Sequence, residues 1–325
     1  MKNIAIVCGG FSGEYNISIE SAKMVSDHIN HTIYNTYIVV IKQDNWYYED
    51  EAGSKHIINK DDFSITINND IIKFDGVFNA IHGTPGEDGK LLGYFDMLNL
   101  PYSSCETDTS ALTFNKYLCN SYVKSLDINI ARSFSFLKGE TINKNEIIKA
   151  LGLPLFIKPT RSGSSVGISK VTEASDFDKA INKAFNTDNR ILIEEFVDGR
   201  EIACGLFLKN KKLIVLPLTE IISKNDFFDY EAKYTKGLAQ EVTPPENLDI
   251  EYEIEIKALS SLLYNKLGCK GIVRIDFILT KSELFFIEIN TVPGLSPASI
   301  VPKQAEAMGI TIGELFDTVV ASMFE

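Results

Sequence analysis

The run Asn3-Ile-Ala-Ile-Val-Cys-Gly-Gly10 constrains the fold more than any other stretch of this chain. It reads as a buried strand that ends in a glycine turn, and a helical period follows from about Ile17 to Ile29. Strand, glycine turn and helix in that order open a doubly wound α/β domain. Apolar strands at Tyr37 to Ile41 and Gly76 to Ile81 continue it. The second runs into His82-Gly-Thr-Pro-Gly-Glu-Asp-Gly89, after which Leu91 to Leu98 resumes a helical period. Ligands of such sheets gather at the carboxyl ends of the strands, where both glycine turns belong.

From Thr107 the spacing predicts one helix, capped from within Thr107 to Ser110, with Ala111, Phe114, Leu118 and Tyr122 as its apolar stripe. Lys116 lies off that stripe and is expected to point outward. A strand at Leu155 to Lys158, the loop Pro159 to Ser165 and a strand at Val166 to Lys170 make a hairpin with a glycine-serine tip. Strands dominate Ile191 to Glu220. The polar stretch Lys224 to Asn247, with Gly237 and Pro244-Pro245, reads as a long loop, and loops of that length are functional covers or disordered. A helix over Tyr252 to Leu267, strands at Gly271 to Leu279 and Leu284 to Ile289, and helices from about Val301 and Thr311 close the chain. There is no internal repeat and no low-complexity tract.

At 325 residues the chain has length for two or three domains of roughly 100 to 200 residues each. Its 32 Lys and Arg against 44 Asp and Glu give a net charge of −12. With no basic block to neutralise phosphates, that balance excludes nucleic acid and an anionic membrane as main partners. A small anion stays open, because a pocket needs only a few well-placed cations. The five cysteines are scattered, odd in number and never spaced C-x-x-C, so they imply neither a disulfide framework nor a zinc knuckle and fit a reduced, cytoplasmic setting. Ile4 to Cys8 is too short for a signal-peptide core, and no apolar run reaches membrane-spanning length.

Two glycine motifs fail. Gly83 to Lys90 would need glycine at Thr84 and a hydroxyl at Leu91 to be a phosphate loop, and Gly9-Gly10 with Gly13 is not a dinucleotide fingerprint. His28 and His31 lack partners at ligand spacing and read as surface histidines.

Two motifs hold. Arg274-Ile-Asp276 lies in one predicted strand and Glu288-Ile-Asn290 ends the next, so in a hairpin Asp276, Glu288 and Asn290 can face one side. Two carboxylates and an amide oxygen suit Mg²⁺ with substrate phosphates; a polar strand face with solvated acids is the other reading of that spacing. Buried apolar neighbours Phe277, Phe285, Phe286 and Ile287 make solvated acids costly there. Lys158, at a strand end beside Arg161-Ser-Gly-Ser-Ser165, can fold a flexible loop over a polyphosphate, where Gly163 lets the backbone approach; a generic Gly-Ser hairpin is the alternative.

Taken together and in order, these parts follow the layout of ATP-grasp enzymes. Gly9-Gly-Phe-Ser-Gly-Glu14-Tyr-Asn-Ile-Ser18, His82-Gly83 with Gly86-Glu-Asp-Gly89, Lys158-Pro159 through Gly167, Asp229-Tyr-Glu-Ala-Lys-Tyr234, Gly271-Ile-Val-Arg-Ile-Asp276 and Glu288-Ile-Asn-Thr-Val-Pro-Gly294 closely resemble the D-alanine-D-alanine ligases. The resemblance spans nearly the whole chain. It implies an ATP-grasp fold preceded by a doubly wound, Rossmann-like domain, with lobes at 1–104, 105–194 and 195–325 and ATP between the last two.

The activity so implied joins two D-alanines, using ATP, through an acyl phosphate. By the same resemblance Lys116, Lys158 and Lys233 hold ATP phosphates, Ser164 and Ser165 belong to the loop over them, Glu194, Glu195, Phe196 and Val197 line the adenine, and Glu201 takes the ribose. Two Mg²⁺, with Mn²⁺ as substitute, are expected at Asp276, Glu288 and Asn290. Glu14 would hold the first D-alanine's ammonium with His82 nearby, and Arg274 and the Gly294 N–H would stabilise the oxyanion. Ser299 and the Ile300 amide would take the second D-alanine's carboxylate, while Glu14, Ser164 and Tyr234 would link a closing loop. A homodimer is compatible with the resemblance. Thr160, Ser162 and Phe114-Asn115 depart from the usual residues, which implies kinetic tuning. Ligases that take D-lactate or D-serine second, and a non-catalytic ATP-binding module, are the alternatives; Lys233 and Tyr234 favour the dipeptide, and the intact Arg274, Asp276, Glu288 and Asn290 favour catalysis.

Overall fold

The computed structural model describes residues 1–163, 165–223 and 239–325. Strands β1 (Lys2–Gly9), β2 (Tyr34–Ile41), β3 (Trp46–Glu49) and β4 (Lys55–Ile57) join one sheet, β5 (Ile65–Ile67) and β6 (Asp70–Ile72) pair separately, and β7 (Gly76–Asn79) returns to the first sheet, whose order is β4-β3-β2-β1-β7. β1 lies between β2 and β7 and is parallel to both. That position explains its unbroken apolar run, since a central parallel strand is covered on both faces and Ile4 to Cys8 are all 0 % exposed. Ile4, Ile6 and Cys8 face one core with Ala22 and Val25 of α1 (Tyr15–His28). Ala5 and Val7 face another with Leu91, Leu92 and Phe95 of α2 (Lys90–Met97).

The turn between β1 and α1 requires its glycines. Gly9 and Gly10 have φ of 91° and 87°, and a Cβ on Gly10 would lie 2.6 Å from the Ile81 side chain.

The single helix expected from Thr107 is two, α3 (Thr107–Phe114) and α4 (Lys116–Lys124). Asn115 breaks it by adopting an extended backbone, and its side chain accepts the Leu118 N–H as the cap of α4. The break resets the helical face. Leu118 of the expected stripe is exposed, while Thr113, Cys119 and Val123 are buried. Lys116, expected to point outward, turns inward.

The second sheet is antiparallel, β10-β9-β11-β8, from β8 (Ser133–Leu137), β9 (Leu155–Pro159), β10 (Ser169–Val171) and β11 (Arg190–Glu195). Its apolar face packs on Ile147 and Leu151 of α5 (Lys144–Leu151) and on Phe177, Ala180 and Ala184 of α6 (Phe177–Phe185). The β9–β10 hairpin is as expected, though β10 begins at Ser169 because residues 165–167 still turn.

The third sheet runs β15-β14-β12-β16-β17, with β13 beside β12, from β12 (Arg200–Lys209), β13 (Lys212–Val215), β14 (Thr219–Ser223), β15 (Ala239–Val242), β16 (Val273–Leu279) and β17 (Leu284–Asn290). β15 falls inside the stretch expected to be loop, because its backbone pairs with β14; residues 224–238 lie outside the described residues. Helix α7 (Ile250–Lys266) covers this sheet through Ile256, Leu263 and Tyr264. Helices α8 (Ile300–Ala307) and α9 (Ile312–Ser322) place Val301, Ala305, Leu315 and Phe316 in the same core as Ile4 and Ile6. The chain's end thus packs against its beginning, which brings the carboxyl end of β1 and the loop after β17 together. Among the described residues no helix is long and apolar enough to cross a membrane, and the five cysteines are buried and form no disulfide.

Candidate active site

Strands β16 and β17 pair so that Asp276 is opposite Glu288 and Arg274 is opposite Asn290, which puts Asp276, Glu288 and Asn290 on one face as their spacing predicted and adds Arg274 to it. Asp276 is nearly fully buried and accepts from Arg274 Nε at 2.8 Å and Nη2 at 2.7 Å, while Asn290 Nδ2 donates to it at 3.0 Å. Burial opposes the charge on Arg274, but Asp276, then Glu288 and Glu201, outweigh it and hold the guanidinium even more firmly protonated than usual. Two carboxylates and an amide oxygen on one face are hard ligands of the kind Mg²⁺ accepts when phosphates complete its shell. Among the described residues no three His, Cys, Asp or Glu side chains gather into a metal site, so such an ion would depend on Asn290 and on its substrate.

Lys116 reaches this face from α4. Its Nζ is 3.2 Å from Glu288 Oε2 and donates to the Ser162 carbonyl at 3.1 Å. Burial works against its charge, and Glu288, Glu194 and Glu87 overcome that and raise its pKa. The inward turn of α4 therefore links the acids of the third sheet to the hairpin tip of the second.

Lys158 on β9 ion-pairs with Glu194 on β11. The other Glu194 oxygen accepts from Asn120 Nδ2 at 3.0 Å. Glu195, on the opposite face of the strand, is held by the Arg132 N–H at 2.8 Å and the Arg132 Nε at 2.6 Å. The Phe196 ring lies 6.0 Å from that of Phe156 with Lys170 Nζ 4.2 Å above it, and half-buried Val197 follows. Glu201 sits in β12 between Ile221 and Ile278, close enough for its charge to act on Arg274.

From the first sheet, Glu14 precedes α1 with its N–H on Ser12 Oγ, which in turn donates to the His82 carbonyl. A Cβ on Gly163 would overlap Glu14 Oε2, so this glutamate lies against the hairpin tip of the second sheet. His82 is buried, with Nδ1 2.8 Å from the Val292 carbonyl and Nε2 3.0 Å from Ser21 Oγ. Burial lowers its pKa despite the pull of Glu14. A neutral ring that donates from Nδ1 to Val292 must accept from Ser21 at Nε2. His82 therefore ties the first sheet to the loop after β17. On that loop a Cβ on Gly294 would come 2.8 Å from Ser299 Oγ, and Ser299 immediately precedes α8, whose first N–H groups, beginning with that of Ile300, have no partner within the helix. Ser165 turns with φ 58° at the hairpin tip. Ser164, Lys233 and Tyr234 lie outside the described residues.

Two residues here were not singled out by sequence reasoning. Glu87 accepts the Gly83 N–H at 2.6 Å, and burial, then the charge of Glu14, pushes its carboxyl up to about 8. Its motif was visible but its neighbours were not. Asn120 follows Lys116 by four, a spacing that is informative only once α4 is known to begin at Lys116.

Comparison with known proteins agrees with this arrangement. The D-ala D-ala ligase N-terminus family matches residues 3–105 and the D-ala D-ala ligase C-terminus family matches residues 122–321. The D-alanine-D-alanine ligase of Azobacteroides pseudotrichonymphae is 44% identical over 325 residues, covering 99% of this chain and 100% of that protein. That of Flavobacterium johnsoniae is 45% identical over 320 residues, covering 98% of each. Among solved structures, D-alanyl-alanine synthetase A of Vibrio cholerae superposes with a TM-score of 0.90 at 28% identity, covering 100% of this chain and 99% of that one. The VanG D-Ala:D-Ser ligase of Enterococcus faecalis gives 0.86 at 33%, covering 99% of each. The fold is thus the ATP-grasp fold of those ligases, and the chain belongs to the D-alanine-D-alanine ligase family.

Proposed function

We propose that the chain joins two D-alanines into D-alanyl-D-alanine at the expense of ATP, supplying the dipeptide that ends peptidoglycan stems. The observation that carries this reading is the meeting of the Lys116–Glu288 and Arg274–Asp276 pairs on one face of β16 and β17. It sets phosphate-binding cations beside hard-oxygen acids. Three lobes, 1–104, 105–194 and 195–325, surround the site in this reading, with ATP between the last two.

ATP carries about four negative charges at neutral pH, so lysines from separate elements are needed to hold it. Lys116 and Lys158, each paired with an acid in this structure, exchange part of that pairing for phosphate oxygens, joined by Lys233; Ser164 and Ser165 cover them, Glu194 to Val197 line the adenine and Glu201 takes the ribose. Asp276, Glu288 and Asn290 would hold two Mg²⁺, or Mn²⁺ in their place, which when bound neutralise phosphate charge during transfer. Glu14, with His82 at its back, holds the first D-alanine's ammonium. That substrate's carboxylate attacks the γ-phosphorus, ADP leaves, and the acyl phosphate forms. The second amine then attacks the activated carbonyl, Arg274 and the Gly294 N–H hold the oxyanion, and phosphate departs. Arg274 spends Nε and Nη2 on Asp276, so its Nη1 lies outside that fork for the oxyanion. Ser299 and the Ile300 N–H receive the second carboxylate, and closure through Glu14, Ser164 and Tyr234 excludes water.

Phosphate release from ATP over a panel of D- and L-amino acids, with product identification, tests this reading. D-alanine alone should give the dipeptide. The likeness to a D-Ala:D-Ser ligase supports a second reading, in which D-serine or D-lactate is the second substrate; D-alanine offered with excess of either decides, and a dominant mixed product would sink the first reading. ATP binding without phosphate release would instead support a non-catalytic module. A cytoplasmic location fits this reading, and sedimentation tests a homodimer.

A further inference from the structure

We propose that Asp188, in the turn between α6 and β11, is a positioning residue for ATP: acting through Thr160, it sets where the tip of the β9–β10 hairpin and the start of α4 stand. The inference rests on the reading of Lys116 and the hairpin tip as phosphate ligands.

Asp188 is tied to the end of α6 by its own N–H, which donates to the Ala184 carbonyl at 3.2 Å, and Ala184 lies in the core of the second sheet. From that support its carboxylate reaches the entry of the tip. Oδ2 accepts the Thr160 hydroxyl at 2.8 Å and the Arg161 N–H at 2.9 Å, while Oδ1 accepts the Asn189 N–H at 2.7 Å. Bonds to a carboxylate are stronger than neutral ones, so three of them fix this turn and the tip's first residues together. A carboxylate repels phosphate, so Asp188 serves ATP by holding backbone and not by touching it.

Thr160 carries the effect onward. It is fully buried, and its carbonyl takes the Lys116 N–H at 2.9 Å, so the hydroxyl held by Asp188 and the carbonyl that meets the start of α4 belong to one residue. Lys116 Nζ in turn donates to the Ser162 carbonyl at 3.1 Å, which closes the circuit on the tip itself. The exit of the tip meets the same support. Lys183 of α6 donates to the Ile168 carbonyl at 2.8 Å, and a Cβ on Gly167 would come 2.7 Å from Thr187 Oγ1. Both stems of the tip therefore bear on the end of α6.

The test is calorimetric titration of the full chain by ATP with Mg²⁺, alongside the Michaelis constants for D-alanine. Thr160→Val keeps the branched shape and removes the hydroxyl, so it should weaken ATP by about 10-fold, whereas Thr160→Ser keeps the hydroxyl and should stay within about 2-fold of wild type. Asp188→Ala should weaken ATP by about 10-fold or more, since it loses all three bonds. Turnover at saturating ATP and the D-alanine constants should stay within about 2-fold in every variant, because in this reading neither residue contacts an amino acid or a reacting atom. Adding Thr160→Val to Asp188→Ala should cost less than about 2-fold more, since the hydroxyl has already lost its partner. Asp188→Asn, which keeps one acceptor oxygen, replaces the alanine variant should that one melt below the titration temperature, with a loss of about 3-fold or more expected. An unchanged ATP affinity in Thr160→Val, an equal loss in Thr160→Ser, losses that multiply in the double variant, or D-alanine constants that rise in step with ATP overturns the role of Asp188. A wild type that binds ATP yet forms no dipeptide overturns the ligase reading instead, and the same ATP titrations then decide the role of Asp188 by themselves.

Discussion

Lys116 Nζ stands 3.2 Å from Glu288 Oε2, so a side chain whose sequence position points to solvent instead closes onto the acids of the third sheet. The cause is one residue. Asn115 interrupts the helix, caps the next one, and so turns Lys116 inward. In the proposed reading Lys116, the counter-ion of Glu288 in this structure, becomes a phosphate ligand when ATP binds.

Lys116→Met should therefore weaken ATP by about 10-fold or more, because a charge-assisted contact is worth about 1.5–3 kcal/mol. The affinity for D-alanine should change far less. Calorimetric titration of ATP checks the first statement and steady-state kinetics at saturating ATP the second; an unchanged ATP affinity contradicts the role given to Lys116.

Gly163→Ala puts a methyl group where Glu14 Oε2 lies. Glu14 must move, and the Michaelis constant for the first D-alanine should rise by about 10-fold or more, as expected when a charged hydrogen-bonding group is misplaced. ATP affinity should change less than that constant, since the atoms nearest the added methyl group are those of Glu14, which in the proposed reading serves the other substrate. Initial-rate kinetics separate the two constants.

Arg274→Ala should lower turnover by about 10² or more with ATP binding nearly unchanged, the pattern for loss of one oxyanion donor. Asp276 would lose its bidentate partner, so Arg274→Lys serves as the control that keeps a charge beside it. Equal losses in turnover and ATP affinity for both variants would place Arg274 on the nucleotide instead.

Glu87 makes stability depend on pH. Its carboxyl titrates at about 8 in the folded chain against 4.5 ordinarily, because burial, then Glu14, opposes its charge. Between those values the folded chain holds a proton that the unfolded chain has released, so the stabilisation is full below about 4.5 and is lost as pH rises towards 8. Thermal melts of wild type and Glu87→Gln from pH 5 to 8 should show the wild type losing more stability with rising pH. Parallel curves would mean that Glu87 is ionised throughout.

Much of the site was legible because its parts are local patterns. Arg274, Asp276, Glu288 and Asn290 share a face through the period-two geometry of strands, and β16 with β17 need only be neighbours for that geometry to hold. The Lys158 hairpin was legible for the same reason, though β10 starts later than its apolar residues suggested. Lys116 was misread because a helical period carries no mark of a one-residue break. Asn115 could have been that mark, since asparagine is a strong cap, but within an apolar-periodic run its backbone choice is settled by the Thr160 carbonyl, which takes the Lys116 N–H at 2.9 Å. β15 was read as loop because a short strand is stabilised by its partner more than by its own residues.

The sequence alone determined several of the elements and their chemical groups: a central buried strand, two glycine turns, a lysine hairpin, and a pair of strands carrying acids and an arginine. Its charge of −12 argued against nucleic acid as a main partner without identifying the few cations that matter. Tertiary structure alone decided which groups meet. Glu14 against Gly163, His82 on Val292, Lys116 on Glu288 and Asn120 on Glu194 all join residues far apart in the chain. Local propensity cannot specify such contacts, because they depend on how α8 and α9 pack back onto the first sheet and join its core to that of the third.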